Sequence, residues 1–475
     1  MYNERTLRKE KFPWRSFIKS VAAIAIPVAA QNLLTTTASM VDTMMVAPMG
    51  KLSVAALGLC AQFSSLMFSG YWGFVGGGML FIAQYWGARD DEGIERSYGM
   101  TLACMMTVAL IFGCLAIFAP RTIMRIYTDK QSIRDIGVQY LRIVGFAYFM
   151  QVFSMAMSLL LRSTERVKIP MIASIASVAA NLGFNWLLIY GNWGFPKMGI
   201  RGAALATTVA AAVNVLVIYL LSHRAGYRYL FHIRGHFRWT KRYLSEYLHK
   251  CFPIICNEVL VGVGNMVINI TLGRQSDDVI AALAVFRIFE GLIIGFFAGF
   301  SNASSVLVGA CVGGGELRKA YDRAKRLVYM CSGMILAVNL LILAVHKPIL
   351  LAMRLDGEAL NIGTTLLVIF GAASVVRMGN WIQNDTYRAS GDSVFGTVRE
   401  IIFMYVMVLP LVLLTGFVWK SPYWLVFVCC YIDEPIRYVL MQRHLYSGRW
   451  IKPVTEQGKA ALPEFMRSME RTGKW

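Results

Sequence analysis

A chain of 475 residues that is 57% hydrophobic and only 16% charged carries too much apolar surface to be a soluble domain, which runs at about 45–50% apolar and about 25% charged. Its formal charge of +20 (47 basic minus 27 acidic residues) would suggest nucleic acid in a soluble protein. Here the basic residues fall between apolar runs, where they fix topology against an anionic inner leaflet, so no nucleic-acid partner is expected.

The apolar runs reach the ~20 residues needed to cross a bilayer as helix and are continuous rather than alternating, which excludes a transmembrane β-barrel. The expected fold class is an all-α polytopic membrane protein. Residues 1–15 read as a cytoplasmic N-terminal tail. Spans follow at about 16–47, 53–85, 98–119, 136–161, 168–190 and 200–222, making a first lobe over 16–222. A basic linker, 223–249, carries Arg224, Arg228, Arg234, Arg238, Lys241 and Arg242. Within it, Trp239–Leu248 fits either an interfacial amphipathic helix or a solvated loop. Spans at about 250–272, 279–312, 326–346, 361–387, 395–418 and 423–446 make the second lobe, 250–446, before a cytoplasmic tail, 447–475. Arginine and lysine concentrate on one side (Arg5, Arg8, Lys9, Lys11 and Arg15; Arg162, Arg166 and Lys168; Arg318, Lys319 and Arg323). That side is cytoplasmic by the positive-inside rule, against one dissenting outer loop with Arg121, Arg125, Lys130 and Arg134. The expected location is the cell membrane, with both termini in the cytoplasm.

The two lobes repeat each other at an offset of 226. Pro253 falls on Pro27, Gly299 on Gly73, Gly313 on Gly87, Gly371 on Gly145 and Arg388 on Arg162. Six spans per copy, an even number, give a parallel repeat with its pseudo-two-fold along the membrane normal. Two such bundles leave a central cleft suited to alternating access. The scaffold repeats but the charges do not: Asp42 faces Ile268, Glu258 faces Asn32, and Arg377 faces Gln151.

Charges inside a membrane are costly and mark function by default. Asp42 and Glu258 have no basic residue within a helical turn. Such a carboxylate can take up a proton, or Na⁺ with neighbouring oxygens, and also attracts an organic cation. Asn181 and Asn185, four apart, share one helix face; they can offer carbonyl oxygens to a cation or bridge helices. Arg287, Glu290, Arg377 and Asp385 are possible cleft-lining charges, with Arg287 and Glu290 spaced to pair. Asp433 and Glu434 are placed to pair with Arg437. The glycine triplets Gly76–Gly78 and Gly313–Gly315 read as close-packing or helix-end glycines. No Walker A sequence, HExxH motif or nucleophile arrangement occurs, so neither an ATP-driven pump nor an enzyme is expected.

The segment from Gly191 to Thr207, with Pro196, Met198, Gly199, Gly202, Ala203 and Ala204, resembles the GxxGxPxMGxxGAAxAT stretch of the multidrug and toxic compound extrusion (MATE) family. Asn181 and Asn185, Met40-Val41-Asp42-Thr43, Leu161–Glu165 and Tyr387–Asp392 resemble further motifs of that family, and the likeness runs over about 16–450. It implies twelve helices in two lobes and Na⁺- or H⁺-driven export of cationic amphipathic compounds, with Asp42, Asn181 and Asn185 lining an ion cavity. The chain departs from some members in having an amide at Asn185 and an arginine, Arg377, at the acid position of the tenth helix. The expected activity is therefore secondary antiport by a monomer with no cofactor beyond the coupling ion. A flippase for lipid-linked sugars is the alternative, if Arg287 and Arg377 face the cleft unpaired.

Overall fold

Residues 12–353 and 355–471 are described by a computed structural model, and among them every regular element is helical. Residues 1–11, with Arg5, Arg8, Lys9 and Lys11, lie outside the described residues. The first lobe comprises α1 (Trp14–Val46), α2 (Lys51–Ala88), α3 (Asp91–Phe118), a short α4 (Pro120–Tyr127), α5 (Gln131–Ser163), α6 (Lys168–Tyr190) and α7 (Ile200–Arg224). After α8 (Ile233–His236), the second lobe begins with α9 (Lys241–Leu272), α10 (Asp277–Gly313), α11 (Leu317–Ala352) and α12 (Gly357–Ala389). The eleventh span contains α13 (Phe395–Phe403) and α14 (Leu409–Leu413), joined and extended by π-helical turns at Met404–Val408 and Leu414–Val418. Next come α15 (Tyr423–Cys429), α16 (Glu434–Ser447) and a final α17 (Glu456–Arg471). Eleven of these helical stretches are long and apolar enough to cross a membrane.

The twelfth span differs from expectation. It is not one helix but two, α15 and α16, interrupted at Cys430–Asp433. Pro435 has no N–H to bond back to the Tyr431 carbonyl. That carbonyl instead accepts from Glu434 N at 3.1 Å, a tighter turn that breaks the ladder. Two other segments are more structured than the sequence suggested. Trp239–Leu248 is neither a separate interfacial helix nor a loop, because from Lys241 onward it forms the first turns of α9. Thr240 caps it by accepting from Tyr243 N at 3.2 Å. Tyr243 and Tyr247 are buried and bond Ser97 and Thr101 of α3 at 2.7 and 2.9 Å. The segment expected as a plain C-terminal tail forms α17, which buries Phe465 and Met469 and packs on α10 and α11.

The lobes join through a self-complementary seam. α1 packs along α10, and its repeat counterpart α9 packs along α2. A Cβ added to Gly299 would strike Ala25 and Ala29, while one on Gly73 would strike Ile255. Shifted by 226, these are one contact made twice, Gly73 answering Gly299 and Ile255 answering Ala29. Towards the basic end, a Cβ on Gly87 would fall on the Ala310 carbonyl, and one on Gly313 on the Gln84 carbonyl. Ala310 is in turn the counterpart of Gln84. Residue i meeting j while j meets i is the mark of two-fold packing, and only glycine lets the backbones approach so closely. The buried Gln84 then ties three segments together. Its Nε2 donates to the Ala389 carbonyl at 2.9 Å, and its Oε1 accepts from Val454 N at 2.8 Å. Thr455 Oγ1 donates to the Gly313 carbonyl at 2.6 Å. The segment between α16 and α17 thus clasps both lobes at once.

Candidate functional site

Within the first lobe, α1, α2, α5, α6 and α7 enclose a cavity of about 390 Å³. Its walls are neutral and polar (Gln31, Thr35, Ser39, Asn181 and Asn214 among them) with the aromatic rings of Phe68 and Tyr71. Among the described residues, Asp42 is the one ionisable carboxylate on this wall, and no lysine or arginine lines it. The helical spacing of Asn181 and Asn185 turns both amides inward. Asn185 Nδ2 donates to Asp42 Oδ1 at 2.5 Å and lies 3.2 Å from Asn181 Oδ1. Since its nitrogen faces two acceptors, its own Oδ1 is buried with no donor. The Asp42 carboxylate, the Asn181 oxygen and the donor-free Asn185 oxygen form a cluster of acceptors that suits a cation. The structure therefore brings together Asp42, Asn181 and Asn185.

Glu258 sits elsewhere, in the second lobe. Its isolation along the sequence does not hold in space: Arg388 of α12 lies 3.3 Å away and also contacts Asp385 at 3.5 Å. Asp385 accepts from Ser301 of α10. Arg287 and Glu290 pair as their spacing suggested, and Glu290 also holds Arg377 at 3.1 Å. Arg437 lies 2.8 Å from Glu434 and 3.7 Å from Asp433.

One node escaped sequence reasoning. Arg162 donates to Gln31 Oε1 at 2.6 Å, and Gln31 Nε2 donates to Ser174 Oγ at 2.8 Å. In the second lobe Arg388 donates to Asn257 Oδ1 at 2.6 Å, and Asn257 Nδ2 donates to Glu400 at 3.1 Å. All three pairs (Gln31 and Asn257, Arg162 and Arg388, Ser174 and Glu400) stand 226 apart. The offset that aligned Arg162 with Arg388 would have found the rest.

A family model, MatE, matches residues 27–187 and again 253–414, two blocks whose starts are 226 residues apart. The chain belongs to the MatE family. This MatE chain is 24% identical over 375 residues to the probable multidrug resistance protein NorM of Rhizobium meliloti, covering 76% of this chain and 79% of that protein. It is 22% identical to the uncharacterized transporter YisQ of Bacillus subtilis, over 86% of this chain and 90% of the relative. Among solved structures, a MATE in complex with MaL6 superposes with a TM-score of 0.81 at 18% identity, covering 91% of this chain and 97% of that one. The bent form of the Vibrio cholerae MATE transporter VcmN gives 0.81 at 16% identity, covering 92% and 99%. The MATE fold is thus a membrane-spanning two-lobe repeat, and family membership makes the chain a transporter.

Proposed function

We propose that this MATE protein is a secondary antiporter that exports cationic, amphipathic small molecules in exchange for Na⁺ or H⁺. The basic end lies in the cytoplasm of a cell membrane. The observation that carries this reading is Asp42, hydrogen-bonded by Asn185 but facing no lysine or arginine among the described residues, in a cavity of neutral acceptors. Its carboxylate competes for one positive charge at a time. When the coupling ion occupies Asp42, Asn181 and Asn185, the wall is neutral. When the ion leaves, the wall is anionic and faces aromatic surface at Phe68 and Tyr71, which suits an organic cation. Exchange follows from that competition, provided the lobes expose the cavity to one side at a time. Glu258, held by Arg388, supports the cycle by keeping α9 and α12 together rather than by binding a free ion.

The pairing of Arg287 and Arg377 with Glu290 speaks against the flippase alternative, which needs unpaired basic groups for a pyrophosphate. The test is ethidium efflux from proteoliposomes under an imposed Na⁺ or H⁺ gradient. Wild-type protein should move ethidium with one gradient, and Asp42→Asn should not. Gradient-independent movement, or full activity of Asp42→Asn, would refute the proposal.

A further inference from the structure

The second lobe has its own cavity, of about 110 Å³, at the break between α15 and α16. It is the repeat counterpart of the Asp42 cavity: position after position in one lining returns in the other 226 residues later. The chemistry is rewritten. Gln151 becomes Arg377, Ser174 becomes Glu400, Ala211 becomes Arg437, Thr207 becomes Asp433, and Asp42 becomes Ile268. A neutral wall with one acid has been replaced by a dense ionic one.

The charges do not balance. Among the described residues, four carboxylates line the cavity (Glu290, Glu400, Asp433 and Glu434) against three guanidiniums (Arg287, Arg377 and Arg437), and four minus three leaves one negative charge over. Hydrogen bonding shows where the surplus lies. Glu290 is held by Arg287 and Arg377. Glu434 accepts from Asn380 at 2.7 Å and pairs with Arg437 at 2.8 Å. Glu400 accepts from Asn257 and Asn384, each at 3.1 Å, and pairs with Arg437 Nη1 at 3.3 Å. Asp433 has a backbone hydrogen bond and, as its cation among the described residues, the same Nη1 at 3.7 Å, although its side chain is 7% exposed. Acceptors are also in surplus next to Glu434 and Glu400. Among the described residues, Asn380 Oδ1 and Asn384 Oδ1 are buried without a donor, in an adjoining pocket that shares Glu400 and Arg437 with this cavity. Their nitrogens are committed to Glu434 and Glu400, so the oxygens cannot turn away.

We infer that Asp433 is a second proton-binding site, independent of Asp42 and of whichever ion binds there. A buried carboxylate whose cation is shared and stands 3.7 Å away takes up a proton rather than stay charged. A metal ion fits less well, because it would stand against the Arg437 guanidinium, whereas a proton occupies no volume. The site also has a release device. Arg437 Nη1 is shared between Glu400 on α13 and Asp433 at the start of α16. If α13 and α16 separate, Glu400 lets go, Arg437 turns wholly to α16, and Asp433 sheds its proton. The other groups that face Asp433 are all assigned: α9 offers Asn265 and no charge, α10 offers Arg287 and Glu290, α12 offers Arg377, the break offers Cys430 and Tyr431, and α16 offers Glu434.

The test uses infrared difference spectra of the full-length protein in lipid, titrated with pH, in an Asp42→Asn background. A protonated-carboxyl C=O band that shifts with ¹³C-aspartate labelling should be present, and Asp433→Asn should remove it. Asp433→Thr, which installs the first lobe's own residue, should remove it too and guards against misfolding of the amide variant. Glu400→Gln, which frees Arg437 while leaving Asp433 in place, should lower the pH at which the band rises by about one unit. No such band, or a band that survives loss of Asp433 or ignores Glu400→Gln, would overturn the inference. None of these outcomes depends on whether Asp42 couples transport.

Discussion

Replacing Gln84 by methionine keeps the length of the side chain but removes both of its polar bonds. Those bonds reach the Ala389 carbonyl at 2.9 Å and Val454 N at 2.8 Å, and Gln84 is wholly buried. Each buried backbone group left without a partner costs about 1–3 kcal/mol. Both partners lie outside the first lobe, so the loss falls on the arrangement in which the lobes and the C-terminal segment are clasped. Taking ~2 kcal/mol as the lower end for the two together gives about a 30-fold shift towards the unclasped form. Hydrogen exchange reads this directly, since an amide exchanges when its segment opens. Peptides over residues 450–458 should exchange about 30-fold faster in Gln84→Met, while peptides over α5 stay unchanged. Unaltered protection at Val454 would refute the idea that Gln84 holds this segment.

Further outcomes are expected. Gly87→Val and Gly313→Val each drive a side chain into backbone, so both should lower the melting temperature, and by similar amounts because they occupy equivalent places; unequal effects would argue against a self-complementary seam. Arg388→Met removes the guanidinium from Glu258 and Asp385, at a cost of about 1.5–3 kcal/mol for charged contacts whose carboxylates stay 25% and 37% exposed; adding Glu258→Gln should recover part of it, and strict additivity in that cycle would deny the contact. Asp392, in the turn after α12, would have its carboxyl raised by burial, but hydrogen bonds from His444 and Lys452 more than offset this and hold it below the usual carboxylate value. Its contribution is therefore complete above the unfolded value of about 3.9 and is lost as pH falls through the lower folded one. Asp392→Asn should destabilise the protein at neutral pH and flatten that acid limb in thermal melts.

Hydropathy found the spans because each is a long run with few charges, and the offset of 226 found the architecture. The break in the twelfth span was averaged away by the apolar run around it, although Asp433-Glu434-Pro435 marked it. Asp42, Asn181 and Asn185 could be grouped because two of them share a helix face and the resemblance supplied the third. The partner of Glu258 could not be seen from its neighbours, since Arg388 stands 130 residues away. Packing of α17 was foreshadowed by Ala461, Leu462, Phe465, Met466 and Met469, which recur three and four apart along it.

The glycine seam has a consequence for ancestry. A half-length chain that carried Gly73 and Gly87, with small residues at the places of Ala25 and Ala29, already owned both sides of its interface and would have paired with its own copy. Fusion of two copies then needed no new surface, only a linker. It also removed the obligation to stay identical. Gln84 and its counterpart Ala310 differ in this way: only Gln84 is long enough to hold Val454, in the segment that follows the second lobe. The symmetric seam thereby carries one asymmetric contact, made to a segment that belongs to neither lobe.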